Sequence, residues 1–356
     1  MVQYVGTTNN SGGETGVRKL MWGLVGAAAI VSALPAVAQD KTVDLKISLW
    51  VPPAHPLVPS TKAWAEDITK ASGGTIKATI FPSEQLGKAF DHYDMARDGI
   101  ADVTYVAPGY QPGRFPIISA SQLPFMFADA NKGTAAADAW YRKYATQEMK
   151  DTHFCFAFLQ DPGAYHGGRK KVVLPEDIKG MKIRPPQSTM AQMITMLGGT
   201  NVQASAPEAR DVLERGVADA IFFPWGSMFL FGLDKVTKYH MDLPLYSSAF
   251  TYSMNKAKYE SMSPAQKKVI DDHCTTEWAV KVSSPWTEFE AAGRGKMKAA
   301  AGHEVYELTP DQLKAWKTAA QPMQKQWADA VTKAGGNADE IYKALEASVA
   351  NYKAGF

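Results

Sequence analysis

The sequence predicts an α/β protein built as a two-lobed clamshell, and three observations carry that prediction. Strand-like and helix-like segments alternate along most of the chain, the order that yields sheets covered by helices. A helix, Gly-x-x-Asp, strand unit occurs twice, as Arg97-Asp98-Gly99-Ile100-Ala101-Asp102 and as Glu214-Arg215-Gly216-Val217-Ala218-Asp219, each leading into an apolar strand that stops at Pro108 or Pro224. Copies so far apart imply two lobes of related design rather than a short-period solenoid. No Gly/Ser-rich linker separates the halves, so the lobes are joined by crossing strands and should close about a hinge.

The elements follow in order. LKISLW (45–50) alternates apolar positions as a strand does, the Pro-rich VPPAHP ends it, and an amphipathic helix runs through Trp64, Ala65 and Ile68 to Gly73-Gly74. IKATIFP (76–82) is a second strand. Residues 89–108 read as helix, glycine turn at Gly99, and a β-rich strand over Val103-Thr104-Tyr105-Val106. HFCFAFLQ (153–160) is a buried strand, followed by the turn residues DPGAYHGG. Beyond the second unit, AFTYSMN (249–255) is a strand, and Ser263-Pro264 opens a helix that continues through Val269-Ile270 toward Trp278. Glu277–Ala300 and Thr309–Tyr352 are long helical patterns, interrupted around Gly302-His303 and Gly335-Gly336. The expected division is lobe I over 39–162 plus about 249–285, and lobe II over 163–248 plus about 286–356.

The N-terminal segment has another purpose. Arg18 and Lys19 precede an apolar run from Leu20 to Leu34, then come Pro35 and Ala36-Val37-Ala38 before Gln39. That order is a secretory signal peptide cleaved after Ala38. Pro35 and the small-residue triplet interrupt a run that otherwise nearly spans a bilayer, so the mature chain is expected to be exported and not membrane-embedded.

With 356 residues, 46% of them hydrophobic, the composition is globular. A formal net charge of +2 gives no reason to expect nucleic acid or an anionic membrane as partner. Cys155 and Cys274 form no CxxC and join no histidine cluster, which argues against zinc and leaves two buried free thiols as the expectation. The histidines His55, His92, His153, His166, His240, His273 and His303 show no metal-ligand spacing, and neither a metal nor a cofactor is expected. There is no P-loop and no GxGxxG after a strand, and Ser227 in WGSMF lacks the second glycine of a nucleophile elbow. Glu66-Asp67 and Asp271-Asp272 sit in helical segments and read as solvated faces.

A series of segments then resembles a known family: FPSEQLG (81–87), DGIADVTYV (98–106), LPFMF (123–127), EDIKGMKIRPP (176–186), MLGGT (196–200), ERGVADAIFFP (214–224) and YSMNKAKYESMSPAQKKVI (252–270). In order and spacing they resemble the substrate-binding proteins of tripartite ATP-independent periplasmic (TRAP) transporters, of the C4-dicarboxylate-binding type. The resemblance implies a periplasmic binding protein clamshell with crossing hinge strands and a long helix packed across both lobes. It also implies a small organic acid in the cleft, handed to ion-coupled TRAP membrane subunits, with no chemistry done on it.

The resemblance places the ligand arginine of the family at Arg184. A guanidinium suits that role, because it stays charged and offers a flat fork of donors to a carboxylate. Two departures shape the ligand. Ala164-Tyr165-His166 stands where sialic-acid-binding members carry a second arginine, with Arg169 several positions late, and Phe223-Pro224-Trp225 stands where many members have an asparagine before the proline. Both exchanges remove polar contacts and add apolar surface, which favours a smaller or more apolar monocarboxylate, a 2-oxo, hydroxy or aromatic acid. Trp50, His55, Tyr105 and Ala107 are then the expected ligand-facing residues of the first lobe. Tyr165, His166, Phe223 and Trp225 are those of the second. Two other functions fit the same residues: a secreted enzyme that anchors an organic acid on Arg184 and uses His55 or His166 as base or nucleophile, and a ligand-sensing protein that presents its closed form to a receptor.

Overall fold

The computed structural model describes residues 40–356, so the expected leader and its cleavage after Ala38 lie outside the described residues. In chain order the strands are β1 (Val43–Ser48), β2 (Ile76–Phe81), β3 (Val103–Val106), β4 (Thr152–Leu159), β5 (Ala164–Gly167), β6 (Lys182–Arg184), β7 (Thr200–Asn201), β8 (Ala220–Phe223), β9 (Tyr239–Met241), β10 (Ala249–Asn255) and β11 (Glu304–Tyr306). They form two sheets, in the orders β2-β1-β3-β10-β4 and β11-β9-β5-β8-β6-β7. β1 runs parallel to β2 and β3, β6 runs parallel to β7 and β8, and β10 and β5 insert antiparallel next to β3 and β8.

The repeated unit is repeated in its hydrogen bonds. Gly99 and Gly216 both take a left-handed backbone, with φ of 72° and 69°, where the chain leaves its helix. Three residues on, the Asp102 carboxylate accepts the backbone N–H of Lys46 at 2.7 Å, and the Asp219 carboxylate accepts that of Lys182 at 2.8 Å. Each aspartate returns its own N–H to the carbonyl of the same lysine. The two motifs therefore do one job, clamping β3 onto β1 and β8 onto β6.

The chain passes between the sheets at 160–163 and again at 245–248, and these crossings lie side by side. Gly163 donates its N–H to the Tyr246 carbonyl at 2.8 Å, Leu245 donates to the Gly163 carbonyl at 3.1 Å, and Gln160 donates to the Ser248 carbonyl at 3.1 Å. A Cβ on Gly163 would stand 2.4 Å from the Tyr246 hydroxyl, so only glycine fits this crossing. The helix Thr276–Ala299 packs on the helices Leu57–Ala71 and Ala130–Tyr141 along one stretch and on the helix Trp225–Leu230 along another. It therefore touches the coverings of both sheets. A Cβ on Gly293 would lie 2.2 Å from the Gly226 backbone nitrogen, which shows how closely the two helices approach.

Three expectations change. The helix opened by Ser263-Pro264 stops at His273, and a new one starts at Thr276 behind Thr275, whose extended backbone and hydroxyl cap it. The Thr309–Tyr352 pattern has a second break at Pro322, giving helices Pro310–Ala320, Pro322–Lys333 and Ala338–Tyr352; the last lies against Ala130–Tyr141. Cys155 and Cys274 are not free thiols. They are joined in a disulfide, because β4 carries Cys155 to the break between the two helices where Cys274 sits, with Cα atoms 4.4 Å apart.

Candidate ligand-binding site

The ends of β1 and β3 face the ends of β6 and β8 across a small cavity between the sheets. Trp50, His55 and Tyr110 line it from the first sheet, Arg184 and Phe223 from the second, and Phe250 and Trp286 close it from β10 and the long helix. Gln160 and Ser248 line it from the crossings. Its volume is about 30 Å³, room for roughly two water molecules. A ring-bearing ligand enters only if the walls first part. A larger cavity of about 670 Å³, between residues 123–126 and the C-terminal helices, has no buried unpartnered polar atom among the described residues of its walls. The small one has two, Gln160 Nε2 and Ser248 Oγ.

Arg184 ends β6 and is 1% exposed. Its Nε donates to the Ala204 carbonyl at 2.9 Å and its Nη2 to the Tyr110 hydroxyl at 3.0 Å. The guanidinium carbon lies 5.5 Å from the centre of the Phe223 ring. Among the described residues Nη1 has no hydrogen-bond partner and no carboxylate lies within ion-pair distance of the group, though Arg184 is among the lesser causes that hold the Glu208 carboxyl below its usual range, after the Ser205 donors. A buried cation with no carboxylate in contact is costly, and an anionic ligand relieves that cost.

His55 adds a second donor. Its Nδ1 accepts the Leu57 N–H at 3.2 Å, so the proton resides on Nε2. Burial pulls its pKa down to about 3, which keeps the ring neutral. Trp50 stacks on Tyr105 with ring centres 4.6 Å apart and donates its indole N–H to the Tyr105 carbonyl at 3.1 Å.

The remaining expected residues stand behind the walls. Tyr105 is the backing ring for Trp50, and Ala107 is buried before the turn Pro108–Tyr110 without reaching the cavity. Tyr165 pairs with Phe222 across the strands, which puts it on the sheet face opposite Phe223, and its hydroxyl donates to the Lys170 carbonyl. His166 donates from Nε2 to the Phe223 carbonyl at 3.0 Å, and its Nδ1 meets His240 Nδ1 at 2.8 Å. Trp225 meets His166 edge-on at 4.9 Å. Sequence reasoning missed Tyr110, although the end of the first repeat at Pro108 points to it, and missed Gln160, Ser248, Phe250 and Trp286, which only the crossings and the long helix bring in.

Glu290 of the long helix supports the wall from beneath. Its carboxylate accepts the Ser227 N–H at 2.8 Å, the Trp286 indole N–H at 2.6 Å and the Ser227 hydroxyl. Burial pushes its pKa from an ordinary 4.5 up to about 7, against the pull of those donors. The folded state then holds this proton more tightly than the unfolded chain, so the contribution to stability is full below about pH 4.5 and is lost as pH rises through about 7. Glu290→Gln is expected to flatten the difference in unfolding free energy between pH 5 and pH 8 by roughly 3 kcal/mol. Denaturant titrations of parent and variant at both pH values measure it, and equal pH dependence would show that Glu290 does not titrate in this window.

Residues 47–330 match the family model DctP, the bacterial extracellular solute-binding proteins of family 7. Among solved structures, the chain is similar to a TRAP solute-binding protein from Rhodoferax ferrireducens in complex with copurified benzoate, with 28% identity, a TM-score of 0.82, and coverage of 88% of this chain and 99% of that one. It is similar to a marine metagenome TRAP solute-binding protein specific for aromatic acid ligands, bound to 3-hydroxybenzoate, with 32% identity, a TM-score of 0.82 and coverage of 88% and 99%. A third, from Bordetella bronchiseptica with bound (R)- and (S)-mandelate, is 27% identical, with a TM-score of 0.81 and coverage of 87% and 99%.

Proposed function

The chain belongs to the bacterial extracellular solute-binding proteins of family 7, and on that premise we propose that it captures an aromatic monocarboxylate between its sheets and delivers it to the membrane subunits of a TRAP transporter. The observation that carries the ligand class is Arg184, a buried guanidinium with a free donor edge and no carboxylate in contact among the described residues. Gln160 Nε2 and the Ser248 hydroxyl lack a partner among the described residues and His55 Nε2 carries a proton, so all three can donate to a ligand. Arg184 is the one cationic side chain among the described lining residues, so a second carboxylate would be buried without a partner. Trp50, Phe223, Phe250 and Trp286 supply ring faces and edges in place of groups for a polyhydroxylated ligand. The benzoate, 3-hydroxybenzoate and mandelate held by the three similar proteins support the same class.

In this reading Arg184 takes the carboxylate, Trp50 and Phe223 take the ring, His55 donates to the ligand, and Tyr105, Tyr165, His166 and Trp225 hold those groups in place. The lobes divide at 160–163 and 245–248 and part about those crossings to admit the ligand. The leader sends the chain to the periplasm, with cleavage after Ala38. An enzymatic reading has less support, because His166 has both ring nitrogens engaged and His55 presents a protonated nitrogen rather than a base.

A thermal-shift panel of benzoate, 3-hydroxybenzoate, mandelate, succinate and sialic acid tests the proposal. A ligand at ~100 times its Kd adds about 2.7 kcal/mol to the folded state. Shifts of several degrees are expected for the aromatic acids and none for succinate or sialic acid. The reverse pattern would refute the assignment.

A further inference from the structure

Tyr110 hangs from the first sheet, in the turn Pro108–Tyr110 that follows β3, yet its hydroxyl lies among donors of the second. Arg184 Nη2 donates to it at 3.0 Å and the Ala206 backbone N–H at 2.9 Å. A phenol hydroxyl has one proton to give and lone pairs to receive with. The receiving side is occupied by two N–H groups, so the proton points away from both. It has no acceptor among the described residues, and Tyr110 lines the cavity.

The turn is also pressed against the second sheet's side. A Cβ on Gly109 would stand 2.4 Å from Gln187 Cβ, and Gln187 Nε2 donates to the Gln122 carbonyl at 3.3 Å. Gly109 is required here by space, not by its backbone angles. The hydroxyl can reach Arg184 only when the two sides are this close.

We propose that Tyr110 is a second carboxylate-binding residue and the one that links ligand recognition to lobe closure: its O–H donates to the carboxylate held by Arg184 Nη1, and only the closed molecule brings the two donors together. This rests on the reading of the cavity as a carboxylate site. Because the guanidinium donates to the phenol oxygen, it polarises the O–H and strengthens it as a donor to an anion. Tyr110 would then read the carboxylate and be indifferent to substituents on the ring.

Tyr110→Phe tests the assignment, since it keeps the ring against Trp50 and Phe90 and deletes only the hydroxyl. In calorimetric titrations the variant is expected to bind benzoate and 3-hydroxybenzoate about 10- to 100-fold more weakly than the parent, with the preference between the two acids unchanged. Gly109→Ala keeps the hydroxyl but pushes its turn off Gln187, and is expected to weaken benzoate binding as well. A folded Tyr110→Phe protein that binds both acids as tightly as the parent overturns the assignment and leaves the aromatic-acid reading standing. A loss confined to 3-hydroxybenzoate places the hydroxyl on the ring substituent and also overturns it, and unaltered binding by Gly109→Ala overturns the link to closure. A parent that binds neither acid overturns the reading of the cavity and this assignment with it.

Discussion

Arg184→Ala is expected to lower affinity for benzoate by roughly 30-fold to several thousand-fold, the range set by about 2–5 kcal/mol for breaking a desolvated charge pair on one side. The loss has two parts: the guanidinium's own bonds disappear, and the carboxylate is left in a cavity whose other donors, on Tyr110, His55, Gln160 and Ser248, are neutral. Arg184→Lys separates charge from geometry. It keeps the cation but cannot donate at once to the Ala204 carbonyl, the Tyr110 hydroxyl and a ligand in the guanidinium's plane, so it should recover only part of the affinity. The unliganded protein should respond as well, but less. Arg184 is buried and donates to the Ala204 carbonyl and the Tyr110 hydroxyl, so its truncation leaves a cavity and an unpaired carbonyl, and the alanine variant is expected to fold with a modest loss of stability. Calorimetry with benzoate and denaturant melts without it measure the two effects. A folded Arg184→Ala protein with parental affinity would remove Arg184 from the site.

Legibility in the sequence followed the range of the interactions. The echo at Gly99–Asp102 and Gly216–Asp219 was readable because each motif acts locally, on the turn that contains it and on one neighbouring strand. Trp50 and His55 were placed at the cavity because they follow the first strand, and Arg184 and Phe223 because the family resemblance marks their positions. Tyr105, Tyr165, His166 and Trp225 were placed near the cavity but not behind its walls, since strand alternation tells faces apart only once the register is known. Gln160, Ser248, Phe250 and Trp286 reach the cavity through the crossings and the long helix, and those contacts exist only in the assembled fold. Arg184 is buried where the ends of the two sheets meet, a burial that only the assembled fold supplies.

The cysteines are the clearest case of a tertiary fact with no local sign, since 119 residues separate them. Replacing both, as Cys155→Ser with Cys274→Ser, is expected to lower the unfolding free energy by about 4–5 kcal/mol, because the bond closes a long loop and removes that freedom from the unfolded chain. The native geometry should persist without it. Arg142 donates to the Cys274 carbonyl at 2.7 Å and to the Cys155 carbonyl at 2.9 Å while paired with Asp138, so the strand and the helix junction stay clamped by one guanidinium. Neither cysteine lines the cavity, so affinity for benzoate should stay within about 2-fold of the parent while the denaturation midpoint falls. The same drop should follow from adding a thiol reductant to the parent, and the double variant should be insensitive to it. A bond of this kind persists in an oxidising compartment, which agrees with the proposed export. Unfolding curves with and without reductant, paired with calorimetry, decide the matter. An unchanged midpoint would mean that the thiols do not pair in solution, and a large loss of affinity would mean that the bond braces the ligand site as well as the first sheet.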